Sequence, residues 1–244
     1  NELYSSLFNN AVIYTEIVET LAKHPQGLTR ARLAEKLTLS TDGGGLNRKL
    51  TALGESGFIE LRKTYGPKKS EKRIILIDEY TSFYFNWIKP KESTVQAVGL
   101  LDTHWQTTCK SQKFLAWRGL SFERCCFKHL HETTKALAIK SIEAIGSWSF
   151  SSEKSSSKKG AQIDLFVDRN DDAISLCEIK HTSSPFTITK SYAQELKNKI
   201  AIFRNKSKTK KQIILCFISV NGLTENIYSK ELVAWNITLK DIMR

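Results

Sequence analysis

The sequence predicts an α/β (α+β) protein of two domains: three helices closed by a β-hairpin, then a domain built on a mixed sheet. Three observations predict it. Apolar residues recur at helical spacing through the first 57 residues and then alternate at strand spacing. An aromatic stretch ends at Lys89-Pro90-Lys91, where a proline is expected to stop a helix, giving domains 1–90 and 91–244. Beyond that point the order becomes helix, three strands, helix and strand, with a final α/β tail.

In the first domain, Ile13, Ile17 and Leu21 make one apolar stripe, so residues 7–23 are expected to be a single helix, ended by His24-Pro25-Gln26-Gly27. Thr29 is the expected N-cap of a short helix, RARLAEKL, whose Leu33 and Leu37 face inward. Ser40-Thr41-Asp42 and Gly43-Gly44-Gly45 form a turn. A third helix follows with Leu46, Leu50 and Leu53 on one face, stopping near Gly57. Phe58 to Thr64 and Arg73 to Asp78 read as strands about the turn Tyr65-Gly66-Pro67-Lys68-Lys69.

Three helices and a hairpin is the order of a winged helix-turn-helix, with the third helix for recognition and the hairpin as the wing. Arg62, Lys63, Lys68, Lys69, Lys72 and Arg73 face only Glu71 in this segment. Positive charge on a protruding loop is what phosphate contacts need, so these are the expected DNA-binding residues. A basic hairpin that is merely solvated, in a domain that docks protein, is the alternative left open. Tyr80, Phe83, Tyr84 and Trp87, spaced i, i+3, i+4, i+7 within residues 79–88, are expected to be core.

In the second domain, residues 113–137 read as helical and 142–150 as a strand, followed by a Ser/Lys-rich run at 151–159 read as a turn. Residues 161–168 and 173–181 read as strands, 187–203 as a helix, and 212–220 as a buried strand. Asp164 lies in one strand; Glu178 and Lys180 lie in the next, one residue apart and so on one face. A turn at Asn170-Asp171-Asp172 lets the strands pair. Ile163, Leu165, Val167, Leu176 and Ile179 are expected to bury the group.

Two carboxylates and an amine on a core sheet are costly unless paired or metal-bound. They are also the equipment of phosphodiester hydrolysis. Carboxylates hold Mg²⁺ (or Mn²⁺), and a lysine orients the attacking water or stabilises charge on the phosphate. Glu123, in the preceding helix, is the further candidate acid. The expected catalytic set is therefore Asp164, Glu178, Lys180 and Glu123, with Asp164, Glu178 and Glu123 as metal ligands. A strand Glu-Lys pair that is only a salt bridge is the bland alternative.

Lys190, Lys197 and Arg204 recur every seven residues on one helix face. With Lys199, Lys206, Lys208, Lys210 and Lys211 they oppose Glu195 alone, so the segment is expected to track phosphates, with Lys190 and Lys197 as DNA contacts. Cys125, Cys126, His129 and His131 lie close together, but no second pair stands at metal-site spacing, so core cysteines and satisfied histidines are expected.

The net charge of +12 favours a polyanionic partner. No apolar run approaches the ~18 residues of a membrane span. Five cysteines at irregular spacing, without a secretory signal, suggest reduced thiols in a cytoplasm. The chain opens on Asn1 rather than Met, as expected of a fragment of a longer protein or of a processed chain.

The segments STDGGGLNRKLTALGESGFIE, YGPKKSEKRIILIDEYTSFYFNWI, WRGLSFERCCFKHL, AQIDLFVDRNDDAISLCEIK, ITKSYAQELKNKIAIFR and NGLTENIYS, in this order, resemble the C-terminal region of archaeal-type ATPases of the AAA superfamily, as does the short KALAI. The resemblance covers nearly the whole chain. It implies a winged helix followed by a PD-(D/E)XK restriction-endonuclease-like domain, with Asp164, Glu178 and Lys180 on the nuclease signature and Glu123 on its helical acid. Gln162 also fits the pattern, without an assigned role.

The resemblance further implies DNA as a partner and an ATPase domain acting in cis or in trans. No G-x-x-x-x-G-K-[ST] sequence occurs here, so ATP hydrolysis is not assigned to these residues. The expectation is a metal-dependent DNA endonuclease module. A non-catalytic DNA-binding or regulatory module, or a protein-interaction platform, is the alternative, and self-association into a homo-oligomer is left open.

Overall fold

A computed structural model describes residues 2–38, 43–66, 70–92, 101–151 and 160–244. The expected turn at 40–42, Lys68 and Lys69 of the hairpin, and residues 152–159 of the Ser/Lys run lie outside the described residues. The chain is mixed α/β and divides into two compact units. One comprises Asn1–Arg62 with Lys72–Leu120, the other Lys63–Glu71 with Ser121–Arg244. Among the described residues no helix is long and apolar enough to cross a membrane.

The first unit contains α1 (Glu2–Leu7), α2 (Ala11–Ala22), α3 (Arg30–Lys36) and α4 (Gly43–Glu55). It also holds most of β1 (Ile59–Tyr65), nearly all of β2 (Glu71–Leu76), α5 (Glu79–Phe83), α6 (Leu101–Lys110) and the start of α7 (Gln112–Lys128). Ile13, Ile17, Leu21, Leu33, Leu46 and Leu53 are all buried in one core, as their periodicity predicts. The Thr29 hydroxyl accepts from the Arg32 amide, the expected N-cap. Leu28 and Ile74 exchange both backbone hydrogen bonds, tying the segment before α3 to the hairpin.

Two local expectations fail for backbone reasons. The single helix over 7–23 is two helices, because Asn10 stands at φ 64°, ψ 50° between them; asparagine is among the few residues that enter this left-handed region readily. The aromatic helix changes gauge: after α5 the turn Tyr84–Ile88 is a π-helix and Lys89–Lys91 a 3₁₀ turn. Phe85, within the π turn, enters the core, while Tyr80, on α5 before it, is exposed.

Pro90 stands in the first turn of the 3₁₀ segment, where its missing N–H costs nothing. The chain therefore continues within the same unit. Trp87 meets Phe114 edge-on at 5.0 Å, and Phe83 meets Trp105 at 5.4 Å. The compact units thus divide within α7, at Leu120/Ser121, rather than at Lys89-Pro90-Lys91.

The second unit is a mixed sheet covered on both faces. β3 (Ile142–Phe150) and β4 (Ala161–Arg169) pair antiparallel, β4 and β5 (Ala173–Lys180) antiparallel, and β5, β6 (Gln212–Ser219) and β7 (Trp235–Thr238) parallel. The end of β1 adds to β3 in parallel through Thr64 and Tyr65. One face packs on the end of α7, on α8 (Leu130–Ala136) and on α11 (Leu239–Ile242), through Phe122, Cys126, Leu165, Val167, Cys177 and Ile179. The other packs on α9 (Lys190–Ser207) and α10 (Ile227–Leu232), through Ile163, Phe166, Leu176, Leu196 and Phe203. β5 is buried from Ala173 to Ile179, as befits a central strand covered on both sides.

Candidate active site

The candidate site lies in the second unit and is built from α7, β4, β5 and α9. Asp164 owes its position to a break in strand register. Gly146 of β3 pairs with Phe166, but Trp148 pairs with Ile163, so two steps on β3 span three on β4. The extra residue is a bulge, and it breaks the alternation of side chains. Ile163 and Phe166 pack on one side of the sheet, Leu165 and Val167 on the other, and Asp164 falls between them. Gly146 sits where a Cβ would come within 2.6 Å of the Lys63 carbonyl oxygen, so the close approach of β1 to β3 depends on glycine here.

The β4–β5 ladder runs from Asp168↔Ile174 to Leu165↔Cys177. Past that point the Ile179 amide donates instead to Asp164 Oδ2 at 3.0 Å. A side chain thus takes over from the backbone where the two strands separate.

Glu178 is 3% exposed and heavily paired. Its Oε1 accepts from Tyr192 Oη at 2.6 Å and from Lys199 Nζ at 3.1 Å, and lies 2.8 Å from Lys180 Nζ. Its Oε2 accepts from Lys199 Nζ at 2.9 Å. Lys180 follows on the same strand face, with its ammonium 5.6 Å from the Tyr192 ring centre. Glu123 is half-buried on α7, between the buried Phe122 and Arg124.

The three acids respond to one another. Burial pushes the Glu123 carboxyl up to about 8, with the Asp164 charge adding to the effect and Lys180 opposing it. Burial also pushes Asp164 up to about 6, helped by Glu178 and opposed by the Ile179 amide and the two lysines. For Glu178 burial acts in the same sense, but the adjacent Lys180 and Lys199 ammoniums outweigh it and hold the carboxyl below its usual range. The Lys180 ammonium is held above its usual range, because Glu178 outweighs the opposing effect of burial. At neutral pH the site therefore holds one firm carboxylate beside two acids that ionise reluctantly.

Three carboxylates offer hard oxygen donors, and a divalent cation would relieve the repulsion that raises two of them, so the residues fit Mg²⁺ or Mn²⁺ in donor type and charge. Among the described residues no three His, Cys, Asp or Glu side chains already stand as a ready-made ligand group.

Glu123, Asp164, Glu178 and Lys180, the set expected from the sequence, interact electrostatically in the fold. Lys199, expected as surface charge, joins them, and so does Tyr192, through Glu178. Their seven-residue separation on α9 sets Tyr192 and Lys199 on one helix face, and the packing of Leu196 turns that face inward. Ser219 was not singled out; it pairs in register with Lys180, and its buried Oγ has no hydrogen-bond partner among the described residues. His181 is half-buried and meets the edge of Phe122. Gln162 is exposed.

The expected DNA contacts are scattered in kind. Lys190 and Arg204 are exposed on α9; Lys197 is exposed but pairs with Glu231 at 2.9 Å. Lys211, read as surface charge, is instead turned to Asp168 at 2.6 Å and Glu143 at 2.9 Å. In the hairpin, Arg62 folds back on Glu60 at 2.6 Å, while Lys63 and Lys72 are exposed and Arg73 half-buried.

No protein-family model matches the sequence, no curated protein matches it, and no solved structure matches the chain.

Proposed function

We propose that the second unit is a metal-dependent nuclease domain of the PD-(D/E)XK type that hydrolyses DNA phosphodiesters, and that the first unit is a winged-helix DNA-binding domain, together forming the C-terminal region of an AAA-superfamily ATPase. The observation that carries the reading is the meeting of Glu123, Asp164, Glu178 and Lys180 where β4 and β5 part. Acids from a helix and two neighbouring strands, with a lysine on the same face, are the arrangement phosphodiester hydrolysis needs.

Asp164, Glu178 and Glu123 would hold the cation. What such a cation supplies when bound is Lewis acidity toward a phosphate oxygen and a water of lowered pKa. The chain's own residues do the rest. The Ile179 amide fixes the Asp164 carboxylate. Glu178 holds the Lys180 ammonium at the rim of the sheet, where the side chain keeps 32% of its exposure and can meet a phosphate oxygen. Exposed Lys190 and Arg204 on α9, and Lys63 and Lys72 on the hairpin, supply positive charge for the DNA backbone.

The test is cleavage of plasmid, single-stranded and branched DNA with Mg²⁺ or Mn²⁺, comparing the chain with its Asp164→Ala variant. Metal-dependent cutting is expected, and a loss of at least about a hundredfold in the variant. A second reading, a non-catalytic DNA-binding scaffold, is favoured by the close pairing of Glu178 with two lysines and a tyrosine. Salt-sensitive DNA binding with no cutting by either protein would decide for it.

A further inference from the structure

We propose that the Lys199 ammonium stands in the way of a divalent cation at the Glu178 carboxylate, so that lysine and cation compete for it, while Tyr192 holds the same carboxylate through its other oxygen. This rests on the nuclease reading above. The Lys199 Nζ lies 3.1 Å from Oε1 and 2.9 Å from Oε2, bridging both oxygens. Among the described residues Oε2 accepts from Lys199 alone, while Oε1 is also engaged by Tyr192 and Lys180. Removing the Lys199 contact therefore frees one whole oxygen of Glu178. Tyr192 and Lys180 still hold the other and keep the carboxylate aimed.

The displaced lysine has somewhere to go. Glu195 lies one helical turn before it on α9, its carboxylate 3.9 Å from the same ammonium and 58% exposed. Lys199 can thus move from a buried acid to a surface one by a change of rotamer, with α9 staying in place. A lysine that held Glu178 in place for the cation, instead of standing in its way, would make the same contacts, but its removal would leave cation binding unchanged or weaker.

The experiment titrates the full chain with Mn²⁺ in the absence of DNA, by calorimetry and by the electron paramagnetic resonance signal of free Mn²⁺. Lys199→Met is expected to bind Mn²⁺ about tenfold more tightly than the parent, the effect of removing one charge at contact distance in a partly hydrated site. Lys199→Arg, which keeps the charge, is expected to bind as the parent does. Should Lys199→Met fail to fold, Lys199→Gln carries the same comparison.

Two failures are distinguishable. Mn²⁺ binding that is lost in Asp164→Asn but unchanged or weakened by Lys199→Met overturns the competition and leaves the nuclease reading standing. No Mn²⁺ binding in any folded variant, or binding indifferent to Asp164→Asn, overturns the nuclease reading and this proposal with it.

Discussion

Among the described residues, the first unit buries only neutral polar groups: the Tyr4 hydroxyl meets the Thr81 hydroxyl at 2.9 Å, and Ser82 lies beside it in sequence. The second unit buries Arg124, Asp164 and Glu178 as well. A neutral hydrogen bond inside a core roughly replaces what water offered, so it contributes little net stability and disturbs little when lost. Buried charges of like sign act differently, raising the free energy of the folded state unless something compensates. The second unit compensates Glu178 with two lysines and a tyrosine and leaves Glu123 and Asp164 reluctant to ionise. That difference is what the proposed reading asks of the second unit.

The sharpest way to test that contrast is pH. Glu123 and Asp164 have folded-state values near 8 and 6, above their ordinary values of 4.5 and 3.8. The folded chain therefore holds protons that the unfolded chain has already released, and stability falls as pH rises from about 4 to about 8. Below that window the penalty is absent; above it the penalty is complete. In chelator, unfolding followed by urea denaturation is expected to lose roughly 3 kcal/mol or more across the window, the linkage value of a two-unit shift. Depressed acids such as Glu178, Glu19 and Asp241 act in the opposite sense, but below about pH 4.5. A flat profile between pH 5 and 8 would erase the difference between the two units.

A somewhat smaller effect is expected from Glu178→Ala, which leaves the Lys180 and Lys199 ammoniums without their buried partner. The cost is expected to be about 3 kcal/mol, at the low end for a broken buried pair because both lysines keep some contact with water. The counterpart in the first unit is Tyr4→Phe, which removes one neutral hydrogen bond and should cost only about 1 kcal/mol in the same denaturation experiment. Equal costs for the two substitutions would mean that the second unit relaxes around its charges far more freely than its packing implies.

Much of the fold was legible because periodicity is local. Ile13, Ile17 and Leu21 had to share a face, and residues 173–181 and 212–220 had to be strands, wherever the rest of the chain went. The acids and the lysine were legible for a related reason. A strand sets Glu178 and Lys180 on one side by its two-residue repeat, and an aspartate amid Ile163, Leu165 and Val167 is out of place unless it has work to do.

Other features depended on backbone detail that no repeat encodes. The left-handed Asn10, the π turn that carries Phe85, and the first-turn placement of Pro90 each change an element without changing its composition.

The sequence by itself determined which residues could be buried, which carried charge, and that an Asp and a Glu-x-Lys stood on neighbouring strands. Only the tertiary structure decided what those charges face. Lys197 and Lys199 are two residues apart on α9 and identical in chemistry, yet one lies on the surface beside Glu231 and the other bridges both oxygens of Glu178. Which lysine turns inward is set by how α9 rests on the sheet through Leu196 and Phe203, a contact between segments distant in sequence, and a charge has no meaning for the site until that contact tells it which carboxylate it meets.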